Sequence, residues 1–410
     1  MYFLTFVVQR YFICKTAKIN KNMNYNFDEV IDRRGTCSEK VDGMVNVWGK
    51  SDLIPMWVAD MDFAAPPAVV EALQRRVAHG VFGYAEAWPG LTEAVLGYLE
   101  KEYGWRIDAD WLVWLPGLVT GLNVACRAID GDVITATPVY PPFMSAPRLS
   151  GRGLGSFPLV QQAGRWQWDW AAAAAAVTPT TKLFLLCHPH NPVGRAWGAD
   201  ELAAIAAFCE RHDLILCSDE IHCDLILDAG RRHTPIAMLD EAVARRSITL
   251  MAPSKTFNIP GLGCAFAVIP DAGLRRAFTR AMAGIVPHVN VLGLTACEAA
   301  LRDCGDWHAA LIDTLRRNRD CVESTVAALP GLSMTHVEAT YLAWIDVRRS
   351  GQGPKSTTEN LQRHFEAHGL GLSDGADFGS PGWLRLNFAC PPSVLDEALK
   401  RLASGAKNLA

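Results

Sequence analysis

The stretch SITLMAPSKTFNIPGLG, Ser247 to Gly263, carries a single charge, Lys255. It begins as an apolar run of strand length and closes on a Pro-Gly pair that marks a turn. A lysine in that setting has two readings. As a loop residue it lays its stem over apolar surface and leaves the ammonium in water. As a desolvated amine it has a lowered pKa, is partly neutral near pH 7, and can form a Schiff base with a carbonyl. The rest of the chain decides between them.

Moving outward, similar apolar runs recur at DVITATPVY (132–140), KLFLLCHP (182–189), LILCSDE (214–220) and CAFAVIP (264–270), with helix-like stretches between them. One such stretch, GADELAAIAAFCERHD (198–213), places Leu202, Ile205, Ala206 and Cys209 at helical spacing, with Asp200 as a plausible N-terminal cap. This succession predicts an α/β fold, an open and mostly parallel sheet flanked by helices. Ligands of such sheets sit at the carboxyl ends of the strands. Asn191, Asp219 and Lys255 each follow an apolar run by a few residues, which is where that rule wants them.

From about Ala300 the texture changes to an amphipathic helix, ALIDTLRRNRDCVESTVAAL, then ATYLAWIDV and GWLRLNF as strands, which predicts a smaller α+β domain. The expected organisation is an N-terminal segment over 1–60 that packs with the small domain, a large domain over 61–297, and the small domain over 298–410. GRWQWDWAAAAAA (164–176), with tryptophans at alternate positions, reads as a strand or turn followed by an ordinary helix rather than a binding platform.

At 410 residues the chain is long enough for a large α/β domain with a companion. Half of the residues are hydrophobic and a fifth are charged, and the net charge of −4 offers no footprint for nucleic acid or an anionic membrane. A small molecule is the expected partner. Twelve cysteines are scattered without a C-x-x-C pair. Cys187, Cys217, Cys264 and Cys297 lie in apolar runs, as reduced cysteines of a cytoplasmic protein do, and no metal ligand set is expected. The opening MYFLTFVVQRYFICK lacks the basic start and cleavage site of a secretory signal and is too short to span a bilayer. Met23 begins a more ordinary cytosolic start, so residues 1–22 read as an upstream extension or a mis-called start.

Five segments, LPGLVTGLN (115–123), TPVYPPF (137–143), HPHNPVGR (188–195), SDEIHCD (218–224) and PSKTFN (253–258), stand in an order and spacing that resemble a fold-type I pyridoxal phosphate (PLP) enzyme of the aspartate aminotransferase superfamily. The resemblance runs from about Phe27 to the end. MWVADMDF (56–63), FGYAEAWPGLTEAV (82–95) and EATYLAWIDVR (338–348) are similar to the MalY/PatB branch of cystathionine β-lyase-like carbon–sulfur lyases.

The resemblance implies a role for each of the matching residues. Lys255 would carry the Schiff base with the cofactor and then move the Cα proton. Asp219 would hold the pyridine nitrogen protonated, with His222 behind it. Asn191 would bond the cofactor's phenolic oxygen and help hold the substrate carboxylate, and Tyr140 would stack on the ring. Arg385 would grip the substrate carboxylate with its planar fork. The phosphate would sit on backbone N–H groups after Gly117, near Leu118 and Val119. Tyr84 would reach the neighbouring subunit's site, which implies a homodimer. Trp57, Trp88 and Tyr84 are candidates for the substrate pocket.

Seen alone, several of these residues have plainer explanations. An aspartate at a strand end caps helices, Asn-Pro opens turns, and an aromatic after a strand is ordinary core. Two departures from general aminotransferases also stand out. Ala252 replaces a hydroxyl residue three before the lysine, and Gly263 replaces a phosphate-binding arginine eight after it. The missing arginine is typical of the lyase branch, and Ser254 and Thr256 are the nearby candidates for the missing hydroxyl. His188 stands where relatives often carry asparagine.

The expected reaction is α,β-elimination from L-cystathionine or a related L-cysteine S-conjugate, giving thiol, pyruvate and ammonia. A class I/II aminotransferase reaction is the alternative, since the same lysine, aspartate and arginine serve both. The MalY side of the resemblance also allows a regulator that binds a transcription factor.

Overall fold

The computed structural model describes residues 25–348 and 358–407, so the opening stretch 1–22 lies outside the described residues. The chain divides into two compact units. One takes residues 64–308 and 337–340; the other takes the chain up to Phe63, 309–336 and everything from Tyr341. Both units draw on non-contiguous stretches.

The first unit is built on an eight-stranded sheet: β1 (Leu112–Leu115), β2 (Asp132–Thr137), β3 (Leu154–Gln162), β4 (Arg165–Trp168), β5 (Thr181–Cys187), β6 (Ile215–Asp219), β7 (Ser247–Met251) and β8 (Ala265–Val268). In space their order is β1, β8, β7, β6, β5, β2, β3, β4. Neighbours from β7 through to β3 run parallel, while the β8–β7, β1–β8 and β3–β4 pairings are antiparallel. The sheet is therefore mostly parallel as expected, with CAFAVIP as an exception. The link from β7 to β8 contains no crossover α-helix, and without one a strand returns antiparallel.

Strand β7, SITLM, is buried at every position, which explains its unbroken apolar run: helices cover both faces of a parallel sheet. Leu115, Leu122, Val133, Phe143, Leu185 and Leu250 are among the side chains of the main core, each fully or almost fully buried. Helix Ala199–Arg211 forms as predicted, but its cap is Gly198 and not Asp200. Glu201 supplies the missing acceptor, taking the Gly198 N–H at 2.8 Å, and Asp200 lies inside the first turn. Trp166 and Trp168 fall on β4, and Asp169 caps the helix Trp170–Ala176 by accepting the Ala172 N–H at 2.9 Å. Trp168 packs on the half-buried Trp170 and on Trp197, and Trp166, Trp168 and Trp197 belong to the core.

A buried ionic cluster ties the segment 337–340 into this unit. Glu338 accepts Arg165 Nη2 at 2.6 Å, Arg231 Nη1 at 2.8 Å, Arg195 Nε at 3.1 Å and the Ala196 N–H at 3.1 Å. Burial alone would raise its pKa, but the three guanidinium groups outweigh that and hold it below the usual range. Breaking a buried pair strands its partners. Glu338→Ala is therefore expected to cost about 3 kcal/mol of folding stability, read as a lower urea midpoint. A midpoint within error of the wild type would mean that the cluster is ornamental.

The second unit holds an antiparallel sheet of β9 (Ser333–Met334), β10 (Leu342–Asp346), β11 (Ser373–Asp374) and β12 (Trp383–Asn387), in the spatial order β9, β10, β12, β11. A short parallel pairing joins Ile54–Pro55 to Leu370–Gly371. Among the described residues no helix is long and apolar enough to cross a membrane.

Candidate active site

Parallel strands bring like ends to one edge of the sheet. Cys187 at the end of β5 lies beside Asp219 at the end of β6, and Asp219 lies beside Leu250 near the end of β7. The chain then places Asn191 four residues beyond Cys187, Lys255 four beyond Met251 and Tyr140 three beyond Thr137. Two backbone bonds draw these turns together: the His188 N–H donates to Asp219 O at 2.9 Å, and the Tyr140 N–H to Asn191 O at 3.1 Å. Tyr140, Asn191, Asp219 and Lys255 thus gather at the carboxyl edge of the sheet.

Asp219 is buried, and burial pushes its carboxyl up to about 7, although the Ile221 N–H at 3.1 Å and the Lys255 charge pull the other way. A buried carboxylate with so little compensation suits a ligand that brings a proton and positive charge, and a pyridine nitrogen does both. Lys255 is half-buried rather than enclosed, on a turn whose neighbours Ser254, Thr256 and Phe257 are buried. Asn191 is buried and Tyr140 half-buried. His222 is buried in the turn after Asp219, where its carbonyl accepts the Leu225 N–H.

Gly117 is the N-cap of the helix Leu118–Ala128 and has no side chain to cap it, so the first N–H groups are left for another acceptor. A Cβ added at Gly117 would meet nothing within 4 Å, Leu118 is buried, and Val119 is 43% exposed. An open helix start of this kind suits a phosphate.

Of the two departures, Gly263 has a physical explanation. Gly263 has a φ of +57°, and a Cβ there would lie 3.1 Å from Pro116 O, so an arginine at this position would be strained twice over. Thr256 is not a free hydroxyl, because its Oγ1 donates to Asp224 Oδ2 at 2.9 Å. Asp224 also accepts the Tyr103 hydroxyl, and its carbonyl contacts His308 Nε2 at 2.7 Å. Of the two hydroxyl candidates for the phosphate, this leaves Ser254.

His188 belongs to a network that no spacing announces. Its ring lies 4.3 Å from that of His233, and His233 Nε2 is 2.6 Å from Glu220 Oε2. Glu220 also accepts Ser218 Oγ at 2.8 Å and the Ile236 N–H at 3.1 Å. Burial holds both histidines down to about 3 and lifts Glu220 to about 7. Strand alternation points Ser218 and Glu220 away from Asp219. The network therefore backs the strand that presents Asp219.

The remaining sequence candidates occupy separate settings. Tyr84 is fully exposed in the single chain. The Trp88 indole N–H is committed to Glu298 Oε2 at 2.8 Å. In the second unit the Trp57 indole N–H donates to Lys40 O at 2.9 Å, so Trp57 meets Arg385 through its carbonyl instead. Arg385 is buried in the middle of β12. Cys187, Cys217, Cys264 and Cys297 are all buried, and burial lifts the Cys187 and Cys217 thiols well above their ordinary range.

Residues 51–402 match the family model for aminotransferase class I and II. Cystathionine beta-lyase PatB of Bacillus subtilis (strain 168) is 37% identical over 385 residues, covering 92% of this chain and 98% of that protein. A crystal structure of OvoB superimposes with a TM-score of 0.88 at 45% identity, covering 93% of this chain and 99% of the other. The PLP-bound C-S lyase from Staphylococcus hominis gives a TM-score of 0.86 at 30% identity, covering 94% and 98%.

Proposed function

Because the chain belongs to the aminotransferase class I and II family, in its carbon–sulfur lyase branch, and uses pyridoxal phosphate, we propose that it cleaves the Cβ–S bond of L-cystathionine or a related L-cysteine S-conjugate, releasing thiol, pyruvate and ammonia. When bound, the cofactor supplies an electron sink for the pair left by Cα–H removal. The observation that carries the reading is the convergence of Lys255, Asp219, Asn191 and Tyr140 at one strand edge beside an uncapped helix start.

Each residue then has a defined task. Lys255 Nζ would hold the cofactor at rest and would take the proton from Cα of the substrate. Asp219 keeps a proton on the ring nitrogen, with His222 as support. Asn191 would donate to the phenolic oxygen and contribute to the carboxylate site, and Tyr140 would pack on the ring. Ser254 and the N–H groups after Gly117, at Leu118 and Val119, hold the phosphate. Arg385 fixes the substrate carboxylate and so aims Cα–H, with Trp57 as part of the substrate wall. Tyr84, wholly exposed here, is assigned to the active site of a second copy in a homodimer. The domain limits 61–297 and 298–410 and a cytoplasmic location belong to the same proposal.

Elimination and transamination differ in one requirement. Holoenzyme given L-cystathionine and no keto acid is expected to release thiol and pyruvate together. Turnover that begins only when a keto acid is added would move the assignment to transamination.

A further inference from the structure

Arg385, the proposed carboxylate ligand, is held by a partner that the family resemblance did not single out. Ser373 on β11 stands directly opposite Arg385 on β12, in register across the antiparallel pair. Arg385 Nη2 donates to Trp57 O at 2.7 Å and contacts Ser373 Oγ at 3.3 Å, while Ser373 Oγ itself donates to Trp57 O at 3.1 Å. One hydroxyl can do both, since it carries one proton and two lone pairs. The Phe378 ring lies 4.7 Å from the guanidinium carbon and covers one face of the fork.

The shared acceptor is itself immobilised. From Trp57 to Met61 each successive carbonyl accepts a side-chain donor. Asn387 Nδ2 takes Val58 O and Asp60 O at 2.6 Å each, the Tyr341 hydroxyl takes Ala59 O at 2.9 Å, and Arg33 Nη1 reaches Met61 O at 3.4 Å. Ion pairs of Arg33 with Asp60 at 2.6 Å and of the fully buried Lys40 with Asp62 at 2.7 Å staple the same segment. Trp57 O is thus a fixed point, and Ser373 closes a triangle between it and the guanidinium.

We infer that Ser373 is a positioning residue for Arg385: its hydroxyl sets the bearing of the fork before substrate arrives, and so governs affinity for the α-carboxylate of an amino acid. The inference rests on the reading of Arg385 as the carboxylate ligand. Its physical basis is preorganisation, because a fork already aimed loses less freedom on binding.

The test titrates holoenzyme with L-alanine, which has a carboxylate but no β-leaving group, and with ethylamine, which lacks the carboxylate; binding is read from the change in cofactor absorption. Ser373→Ala is expected to raise the apparent Kd for L-alanine about fivefold, the scale of one hydrogen bond, and to leave that for ethylamine unchanged. Ser373→Thr, which keeps the hydroxyl, should stay within about twofold of the wild type by the same measure. An unchanged Kd for L-alanine overturns the inference, as does an equal loss for both amines, which would signal a general structural defect. Arg385→Lys in the same titration separates the premise: if it binds L-alanine as the wild type does, the reading of Arg385 falls and this inference falls with it.

Discussion

Lys255→Ala, purified in the presence of pyridoxal phosphate, is expected to lack the visible absorption of a covalently held cofactor and to lose turnover by about 10⁴-fold or more, at or beyond the upper end for a positioned proton carrier. The expectation is large because the proposed function gives one nitrogen two tasks, holding the cofactor at rest and moving the Cα proton during reaction. The fold should be spared. Lys255 is half-buried on a turn whose backbone is closed by Phe257 N–H to Pro253 O and Ile259 N–H to Ser254 O, each at 2.9 Å, and neither bond uses the lysine side chain. Absorption together with near wild-type turnover in the variant would remove the lysine from the mechanism.

Asp219→Asn should cost about 10²–10³ in kcat, the scale of losing one preorganised electrostatic partner, and should change stability with a definite sign. In the cofactor-free protein burial raises the Asp219 carboxyl from the ordinary carboxylate range to about 7. Between the unfolded value and that one, the folded chain holds a proton that the unfolded chain releases, so its stability falls as pH rises through this window. Above about 7 the penalty is complete, and asparagine does not incur it. The cofactor-free variant should therefore match the wild type near pH 4 and exceed it at pH 8 by on the order of 3–4 kcal/mol, at 1.36 kcal/mol per unit.

Glu220 and the buried pair His188 and His233 also titrate across this range, but they are present in both proteins and largely cancel in the difference. Adding pyridoxal phosphate should reverse the order, because the wild-type carboxylate then has a ring N–H to receive. Thermal denaturation at several pH values, with and without cofactor, measures both effects. Equal pH profiles for the two cofactor-free proteins would mean that Asp219 is solvated rather than buried.

Much of this site was legible along the chain because each participant follows its own strand at a short distance. Apolar runs ending at Cys187, Asp219 and Met251, followed by Asn191 and Lys255 at similar offsets, encode a parallel edge once the runs are read as strands. The lyase branch was also legible in Gly263, although the reason was not. That a side chain there would face Pro116 O on a left-handed backbone depends on a contact across well over a hundred residues. The helix cap at Gly198 was misplaced to Asp200 because the capping carboxylate comes from Glu201 inside the helix. The role of Thr256 was open for a similar reason: its partner Asp224 and Tyr103 behind it lie on other elements.

The sequence alone determined the class of fold and picked out the candidate groups of the proposed site, since strand period, helix spacing and residue chemistry are local properties. The tertiary structure decided what holds those groups in place. Glu220 with His233, Asp224 with Thr256, and Ser373 with Arg385 and Trp57 O are each assembled from segments distant in sequence. Such pairs leave no period along the chain, because the burial that makes a hydrogen bond or charge count exists only after the segments have packed.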